Sequence, residues 1–244
     1  MTTVDVVVPV YNEERALPES IRTLREFLES PAFPYDWRII IGDNASIDRT
    51  TEVSRRLEDT SDGRVEYVRI ERKGRGFALK EIWGASDADI VSYMDVDLST
   101  GIAAFPELIA AIAERGYEVA IGSRLAGGSR VTRSLKRRVL TRGYNTIIKA
   151  AFFTRFSDAQ CGFKAVRADV FRRILPLIED NNWFFDTELL ILAEKMGYRV
   201  CDVPVEWIED TDTRVKITAT ASEDLRGLFR LWTRRPWRRG GPRQ

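Results

Sequence analysis

The chain has 244 residues, which is enough for one α/β domain with a large buried core. Its composition, 44% hydrophobic and 31% charged with a formal net charge of +1, is that of an ordinary globular protein. Histidine is absent, which excludes Ser-His-Asp catalysis, histidine general bases and histidine-containing zinc sites. The two cysteines, Cys161 and Cys201, form no Cys-x-x-Cys pattern, so we expect reduced thiols in a cytoplasmic protein.

The first half of the chain alternates short apolar runs with amphipathic segments. The apolar runs predict strands at residues 4–10, 37–41, 65–70 and 90–94, and the amphipathic segments predict helices at 18–29, 48–57 and 76–85. This β-α-β order predicts an α/β fold with a mainly parallel, doubly wound sheet and helices on both faces. No basic and apolar leader precedes the first strand and no apolar run approaches about 18 residues, so we expect neither a signal peptide nor a membrane-spanning helix.

The second half is less regular and contains no clear linker. Helices are predicted at residues 105–113, 134–156, 186–196 and 221–232. Strands are predicted at 118–122 and 199–207, the second of them interrupted by Pro204. We therefore predict a single domain over residues 1–232, with halves at 1–100 and 101–232. Residues 233–244 are predicted to form a basic tail.

Two acidic residues follow the fourth predicted strand. Asp95 and Asp97 are one residue apart at the carboxyl end of that strand, where doubly wound sheets bind their ligands. Hard cations such as Mg²⁺ or Mn²⁺ prefer such oxygen ligands, and a metal here would neutralise a leaving nucleoside diphosphate. The alternative is an ordinary turn or helix cap, because Asp-x-Asp is a common sequence.

Polar residues also follow the second and third predicted strands. Asp43 and Asn44 can hydrogen-bond a base or a ribose, although a plain Asx turn explains them as well. The run Arg-Lys-Gly-Arg-Gly at residues 72–76 combines cations with flexible backbone, which suits a diphosphate, but exposed basic loops are common. It is not a Walker A motif, and no Gly-x-Gly-x-x-Gly of a Rossmann site follows the first strand.

Several motifs together resemble a known family. Val-Pro-Val-Tyr-Asn-Glu-Glu at residues 8–14, Asp-Asn-Ala-Ser-Ile-Asp at 43–48 and Asp-Val-Asp at 95–97 resemble the nucleotide-sugar domain of family-2 glycosyltransferases with the glycosyltransferase-A fold. Asp-Ala-Gln-Cys-Gly-Phe-Lys at 158–164 and Trp-Phe-Phe-Asp-Thr-Glu-Leu-Leu at 183–190 are similar to a narrower group, the dolichyl-phosphate β-glucosyltransferases and other polyprenyl-phosphate hexosyltransferases, including dolichyl-phosphate mannose synthases. The resemblance implies a nucleotide-sugar-binding half at 1–100 and an acceptor-binding half at 101–232.

The resemblance also implies an activity and a set of site residues. The implied enzyme is a metal-dependent, inverting hexosyltransferase that moves glucose from UDP-glucose, or else mannose from GDP-mannose, onto a polyprenyl or dolichyl phosphate. The implied nucleotide-sugar-binding residues are Pro9, Tyr11, Glu13, Asp43, Asn44, Lys73, Arg75, Asp95 and Val96. The expected ligands of Mg²⁺ or Mn²⁺ are Asp95 and Asp97. The candidates for binding the acceptor phosphate are Arg124, Arg133, Arg214 and Lys216.

Charge considerations predict the mechanism. A lipid monophosphate is already anionic, so the enzyme mainly has to align donor and acceptor and screen their repulsion. Arg124 is a catalytic candidate for that screening. Asp186 is the second catalytic candidate, because the resemblance places it where other family-2 enzymes keep a base for hydroxyl acceptors. With a phosphate acceptor, Asp186 would only orient the loop or the sugar. A saccharide hydroxyl as acceptor, a binding module without turnover and a helix-start cap at Asp186 remain alternatives.

Two segments suit a substrate at a membrane surface. Residues 134–156 place basic residues among large apolar ones, like an interfacial helix, and the tail pairs tryptophan with arginine. The basic residues include Lys136, Arg137, Arg138, Arg142 and Lys149. We expect a peripheral protein on the cytoplasmic face of the membrane, or one that docks on a separate membrane protein. The alternative is a core-packed helix with a disordered basic tail. A basic tail on a net-neutral domain is weak support for nucleic-acid binding, and we expect no nucleic-acid partner.

Overall fold

The computed structural model describes residues 1–132, 134–208 and 217–238. Its strands are β1 (Thr3–Val10), β2 (Asp36–Asn44), β3 (Val65–Ile70), β4 (Ile90–Met94), β5 (Val119–Ser123), β6 (Arg130–Thr132), β7 (Phe163–Arg167), β8 (Val200–Pro204) and β9 (Glu206–Ile208). Its α-helices are α1 (Leu17–Leu28), α2 (Thr50–Asp59), α3 (Arg75–Ala85), α4 (Phe105–Ala113), α5 (Leu135–Phe152), α6 (Ala168–Ile174), α7 (Phe185–Lys195) and α8 (Ile217–Arg234). Among these described helices, none is both long and apolar enough to cross a membrane.

Seven strands form the central sheet in the order β3-β2-β1-β4-β7-β5-β8. The pairs β1–β2, β2–β3, β1–β4 and β5–β8 are parallel, and β7 is antiparallel to both of its neighbours, β4 and β5. The predicted α/β class with a mainly parallel, doubly wound sheet is therefore confirmed. Because the register places Val10 beside Asp43 and Asp43 beside Arg69, the carboxyl ends of the first three strands lie at one edge of the sheet.

The two faces of the sheet bury separate apolar clusters. Along β1, Val7 belongs to one cluster, while Val6 and Val8 belong to the other, as expected for alternating side chains in a strand covered on both sides. Helices α3, α5, α6, α7 and α8 supply residues to the first cluster, and α1 and α4 supply residues to the second. The helices therefore cover both faces and leave the strand ends for the polar residues.

The second half departs from the sequence prediction in two places. The strand predicted at 199–207, with an interruption at Pro204, is divided there into β8, which ends at Pro204, and β9, which pairs with β6 in a separate two-stranded sheet. Proline cannot donate a ladder hydrogen bond, which explains the break. The helix predicted at 134–156 ends at Phe152, because Phe153 takes a left-handed backbone with φ of 52°. In the described part of the chain, β6, β7 and α6 are elements that the sequence patterns did not predict.

Candidate active site

The loops after β1 and β2 are joined by hydrogen bonds. The Asn12 amide donates to Ser46 Oγ at 2.9 Å, and the Ile47 amide donates back to Asn12 Oδ1 at 2.8 Å. The Glu13 amide donates to Thr50 Oγ1 at 2.9 Å. Asn12 has a left-handed backbone with φ of 57°, a conformation that asparagine tolerates better than most residues. These bonds hold the backbone beside Tyr11 and Glu13 in a fixed position.

Asp43 is fully buried beneath these loops. Its carboxylate accepts hydrogen bonds from the Ser46 amide at 2.9 Å, Thr51 Oγ1 at 3.0 Å and the Tyr67 hydroxyl at 2.8 Å, and it pairs with Arg69 at 3.1 Å. Burial alone would raise the pKa of Asp43, but the hydrogen bonds from Ser46, Tyr67 and Thr51 hold that pKa below its ordinary value. The residue is therefore an ionised anchor for the surrounding loops.

The loop between β3 and α3 closes over the same edge. The Gly74 amide donates to Asn44 Oδ1 at 2.9 Å, so the amide oxygen of Asn44 positions this loop. Lys73 Nζ donates to the Tyr11 hydroxyl at 2.6 Å and lies 4.4 Å from the ring centroid. The hydrogen bond from Lys73 lowers the pKa of Tyr11. Tyr11 after β1 thus contacts Lys73 after β3, and Asn44 at the end of β2 contacts the same loop through Gly74. Pro9 lies within β1 opposite Gly42.

Asp95 and Asp97 lie in the turn after β4. The Asp95 amide donates to the Gly162 carbonyl at 3.2 Å, and Asp97 Oδ1 accepts from the Ser99 amide at 2.9 Å. The side chain of Asp95 is 42% exposed, Asp97 is exposed, and Val96 between them is half-buried. A Cβ at Gly162 would lie 1.7 Å from Asp95 Oδ2, so only glycine fits against this carboxylate. The turn therefore presents two carboxylates at the sheet edge.

The donor set of this turn fits a divalent cation that is shared with a ligand. The described residues contain no group of three or more acidic or cysteine side chains that could hold a metal without help. Two aspartates supply only part of the six oxygens that Mg²⁺ or Mn²⁺ takes, and water and phosphate oxygens commonly supply the rest. The chemistry of the pair is thus suited to a metal–diphosphate complex.

Arg75 connects this turn to α7. Its guanidinium donates to Asp186 Oδ2 at 2.7 Å and to Asp95 Oδ1 at 2.9 Å. The same group lies 4.6 Å from the Tyr93 ring centroid and 5.1 Å from that of Trp183. Burial opposes its charge, but the surrounding Tyr93, Asp186 and Asp95 keep the pKa of Arg75 well above its usual range. Arg75 is therefore a fixed cation between the two halves of the chain.

Asp186 is buried at the start of α7. Its Oδ1 accepts a hydrogen bond from the Tyr93 hydroxyl and lies 3.1 Å from Nζ of Lys164, which is completely buried. Burial alone would raise the pKa of Asp186, but Lys164 and Arg75 outweigh it and lower that pKa. A carboxylate held ionised by two cations is a weak proton acceptor near neutral pH.

Arg124, at the end of β5, pairs with a second buried carboxylate. Its Nε and Nη2 donate to Asp158 at 2.7 and 2.9 Å, and its backbone amide donates to the same side chain at 3.1 Å. The Trp207 ring centroid lies 5.5 Å from the guanidinium. Burial opposes ionisation of both partners, yet their mutual attraction raises the pKa of Arg124 and lowers that of Asp158. The pair uses one edge of the guanidinium.

The structure thus brings Arg75, Asp95 and Asp186 into direct contact. Arg133, Arg214 and Lys216 lie outside the described residues. Sequence reasoning gave no site role to Tyr93 or Lys164, although both interact with Asp186. A lysine between apolar residues of a strand was the available signal for Lys164.

Comparisons with known proteins identify the family of this chain. The family model Glycosyl transferase family 2 matches residues 5–175. The glycosyltransferase AglD of Haloferax volcanii is 35% identical over 237 residues, covering 95% of this chain and 38% of AglD. The dolichyl-phosphate beta-glucosyltransferase of Drosophila melanogaster is 29% identical over 245 residues, covering 94% of this chain and 74% of the fly protein. This chain therefore spans well under half the length of AglD and about three quarters of the fly protein.

The fold also matches solved structures. Glucosyl-3-phosphoglycerate synthase from Mycobacterium tuberculosis, in complex with UDP, superposes with a TM-score of 0.71 at 17% identity, covering 95% of this chain and 80% of that one. The mannosyltransferase PcManGT from Pyrobaculum calidifontis, in complex with GDP-Man and Mn²⁺, gives a TM-score of 0.62 at 20% identity, covering 93% and 62%. These likenesses support the glycosyltransferase-A type of fold. With the family match over residues 5–175, they lead to one conclusion: the chain is a member of glycosyl transferase family 2.

Proposed function

We propose that this chain is an inverting glycosyltransferase that moves a hexose from a nucleotide sugar onto the phosphate of a polyprenyl or dolichyl lipid. One observation carries the proposal: Asp186, where a base for a hydroxyl acceptor would be needed, is ionised and occupied by Arg75, Lys164 and Tyr93. A phosphate acceptor needs no strong base because it is already anionic. The similarity to a dolichyl-phosphate beta-glucosyltransferase supports the same acceptor class.

The donor lies, in this proposal, at the edge formed by the ends of β1, β2 and β4. Tyr11 and Lys73 border the nucleobase pocket, and the buried Asp43 network fixes its floor. The remaining proposed donor-binding residues are Pro9, Glu13, Asn44, Arg75, Asp95 and Val96. UDP-glucose is the first candidate donor and GDP-mannose the second, since the narrower motifs resemble glucosyltransferases more closely.

Asp95 and Asp97 would hold Mg²⁺ or Mn²⁺ together with the donor diphosphate. The metal would supply positive charge that stabilises the leaving nucleoside diphosphate. Arg75, which already contacts Asp95, keeps this carboxylate oriented towards the sheet edge. The solved complexes of related fold with Mn²⁺ support this choice of cation class.

The acceptor phosphate is proposed to bind on the other side of the metal site. Arg124 would use the guanidinium edge that Asp158 does not occupy, and Arg133, Arg214 and Lys216 are the further candidates. Their charges would screen the repulsion between acceptor phosphate and donor diphosphate. Attack from the face opposite to the departing diphosphate inverts the anomeric centre, and Asp186 orients its surroundings without taking a proton.

We propose that the protein is peripheral at the cytoplasmic membrane surface, or docks there on a membrane protein. The inner face of α8 is anchored by Arg230, which pairs with buried Glu188 at 2.6 Å. Its outer face exposes apolar side chains at spacings of one helical turn, and α5 also exposes large apolar residues beside its arginines. The exposed apolar residues are Leu225, Phe229 and Trp232 on α8, and Leu135, Val139, Leu140 and Ile147 on α5. A helix that exposes apolar residues on one face and basic residues on the adjoining polar face favours an anionic lipid surface.

The test is a transfer assay with radiolabelled UDP-glucose or GDP-mannose, polyprenyl phosphate in detergent, and Mg²⁺ or Mn²⁺. We expect a labelled lipid in the organic phase that disappears with chelator and in Asp97→Ala. Asp59→Ala, at the exposed end of α2, is the matched control and should retain full activity. Metal-dependent donor hydrolysis without labelled lipid would move the acceptor to another class, and no donor turnover at all would favour a binding module.

Asp186→Asn separates a phosphate acceptor from a hydroxyl acceptor. Asparagine keeps the size of the side chain and its hydrogen bond with Tyr93 but cannot accept a proton as a base. Transfer to a lipid phosphate should fall by less than about tenfold, whereas loss of a general base costs roughly 10² to 10⁴ in rate. Asparagine also removes the negative charge that Lys164 and Arg75 share, so circular dichroism must first show that the variant is folded. A collapse of that size in the folded variant would favour the hydroxyl-acceptor alternative.

A further inference from the structure

The charges around Arg75 balance one another without a metal. Two carboxylates, Asp95 and Asp186, contact the guanidinium of Arg75, and Lys164 adds a second cation beside Asp186. The side chains of Arg75, Asp186 and Lys164 are 11%, 6% and 0% exposed, whereas that of Asp95 is 42% exposed. The half-open Asp95 is therefore one of four groups whose charges cancel, and the other three are largely buried.

Arg75 is also held in place independently of Asp95. Asp186 binds one end of its guanidinium, and the rings of Tyr93 and Trp183 lie against it. Moving it away from Asp95 would break these contacts and would leave the buried Asp186 with one cation fewer. A divalent cation that binds Asp95 is consequently repelled by the guanidinium of Arg75, which stays close to that carboxylate.

We propose that Arg75 is a resident counter-ion of Asp95 that weakens binding of the divalent metal alone, so that the metal binds together with the nucleotide diphosphate. This inference rests on the proposed function, since it assumes a metal at Asp95 and Asp97. The metal by itself adds two positive charges beside four groups whose charges already cancel, and of its two proposed ligands only Asp97 brings a further negative charge. A diphosphate adds two negative charges and removes this penalty for both the metal and Arg75.

The small number of protein ligands also favours joint binding of the metal and the nucleotide. In the described part of the chain, no third acidic side chain joins Asp95 and Asp97 in a metal-binding group. The diphosphate would supply metal-binding oxygens that Asp95 and Asp97 do not. Both the number of ligands and the balance of charge therefore make binding of the metal depend on binding of the nucleotide. Because coupling between two ligands is reciprocal, the metal must strengthen nucleotide binding by the same factor.

The test measures free Mn²⁺ by electron paramagnetic resonance in titrations of the protein, with and without saturating UDP. Binding that persists in Asp97→Ala is subtracted as non-specific. We expect UDP to increase the Mn²⁺ affinity of the natural protein at least about tenfold. Arg75→Gln should bind Mn²⁺ alone about tenfold more tightly than the natural protein, and UDP should then add less.

Two further variants serve as controls. Arg38→Gln removes another arginine–carboxylate pair, that with Asp5, at the opposite end of β1 and should leave Mn²⁺ affinity unchanged. Arg75→Lys keeps the positive charge and should retain weak binding of the metal alone. Circular dichroism establishes that each variant is folded. If Arg75→Gln does not fold, the factor by which UDP tightens Mn²⁺ binding in the natural protein still decides, and a factor near one overturns the proposal.

The outcomes distinguish this inference from the proposed function. Equal or weaker binding of Mn²⁺ alone by folded Arg75→Gln, with normal binding in the presence of UDP, overturns the role of Arg75 and leaves the metal-dependent enzyme intact. No specific Mn²⁺ binding in the natural protein, even with UDP, overturns both.

Discussion

Two largely buried arginines of this protein have different surroundings. Arg124 forms a closed pair with Asp158, in which one guanidinium edge matches one fully buried carboxylate. Arg75 is shared between Asp186 and the half-open Asp95, and Lys164 supports Asp186 from the other side. The first arrangement concentrates the cost of burial in a single partner, whereas the second spreads it over several groups. A site that must accept another charged ligand benefits from the second arrangement.

The largest expected effect comes from breaking the closed pair. Arg124→Met leaves the buried Asp158 without its cation and should lower the free energy of unfolding by about 3–5 kcal/mol. Arg75→Met should cost less, about 1–3 kcal/mol, because Asp186 keeps Lys164 and Tyr93. Urea denaturation of both variants at neutral pH measures the difference. Equal losses would contradict the distinction between a closed pair and a shared cluster.

A third buried carboxyl, Asp224 on α8, extends the comparison because no cation pairs with it among the described residues. Gln160 donates to its Oδ2 at 2.9 Å, while its buried Oδ1 has no hydrogen-bond partner there. Burial, with the nearby Asp180 and Glu223 carboxylates, raises the pKa of Asp224 to about 7, despite hydrogen bonds involving Tyr144 and Gln160. This acid is thus stable in the protonated form.

Asp224→Asn should therefore stabilise the protein at high pH. Between about pH 4 and pH 7 the unfolded chain loses this proton while the folded protein keeps it, so folding stability falls as pH rises. Relative to the natural protein, the variant should gain about 2–4 kcal/mol at pH 8 and little at pH 4. Thermal or urea unfolding across this range tests the prediction. A gain that does not depend on pH would contradict it.

Gly162→Ala tests whether the open side of the shared cluster requires its present geometry. The added Cβ would overlap Asp95 Oδ2, so the carboxylate must move away from its position next to Arg75. We expect transferase activity to fall about 10²-fold, the size of effect that a displacement of about 1 Å produces in a catalytic site. Gly127→Ala is the matched control, because a Cβ there meets no atom within 4 Å. Equal activities of the two variants would contradict the prediction.

The smallest effect is expected far from both arginines. Phe229→Ser removes one exposed aromatic ring from the outer face of α8 and should weaken binding to anionic lipid vesicles by about three- to tenfold. Folding stability should change by less than about 0.5 kcal/mol because the side chain is exposed. Vesicle co-sedimentation measures the binding. Unchanged binding would assign the apolar face of α8 to another partner.

The sequence predicted the first half well because its strands are short runs rich in β-branched and other apolar residues, separated by amphipathic helices. Strands β3 and β4 and helix α4 have the predicted bounds. Strand β7 was missed because Lys164 interrupts its apolar pattern. That lysine is buried because Asp186 neutralises it and because it donates to the Cys161 carbonyl and the Tyr93 hydroxyl. Pairing of this kind depends on the folded arrangement and leaves no periodic signal in the sequence.

In the candidate site, too, the sequence predicted individual residues but not the contacts between them. Asp95, Arg75 and Asp186 were each named from motifs, but Arg75 and Asp186 are 111 residues apart in the chain. Spacing along the sequence therefore could not reveal that Arg75 contacts both carboxylates. Tyr93 was missed because its side chain reads as part of an apolar strand, although its hydroxyl donates to Asp186.

The position of β7 has a consequence for how the protein is synthesised. Because β7 lies between β4 and β5, the strand that ends at Met94 pairs on that side only with Phe163–Arg167. While the chain emerges from the ribosome, β4 therefore has an open hydrogen-bonding edge until this later segment arrives, and such distant pairing is slow. Lys164, within β7, and Asp186 are both synthesised after the turn that contains Asp95, although they belong to the same charged cluster. The charged cluster is thus assembled late, after the loops around Asp43 are complete.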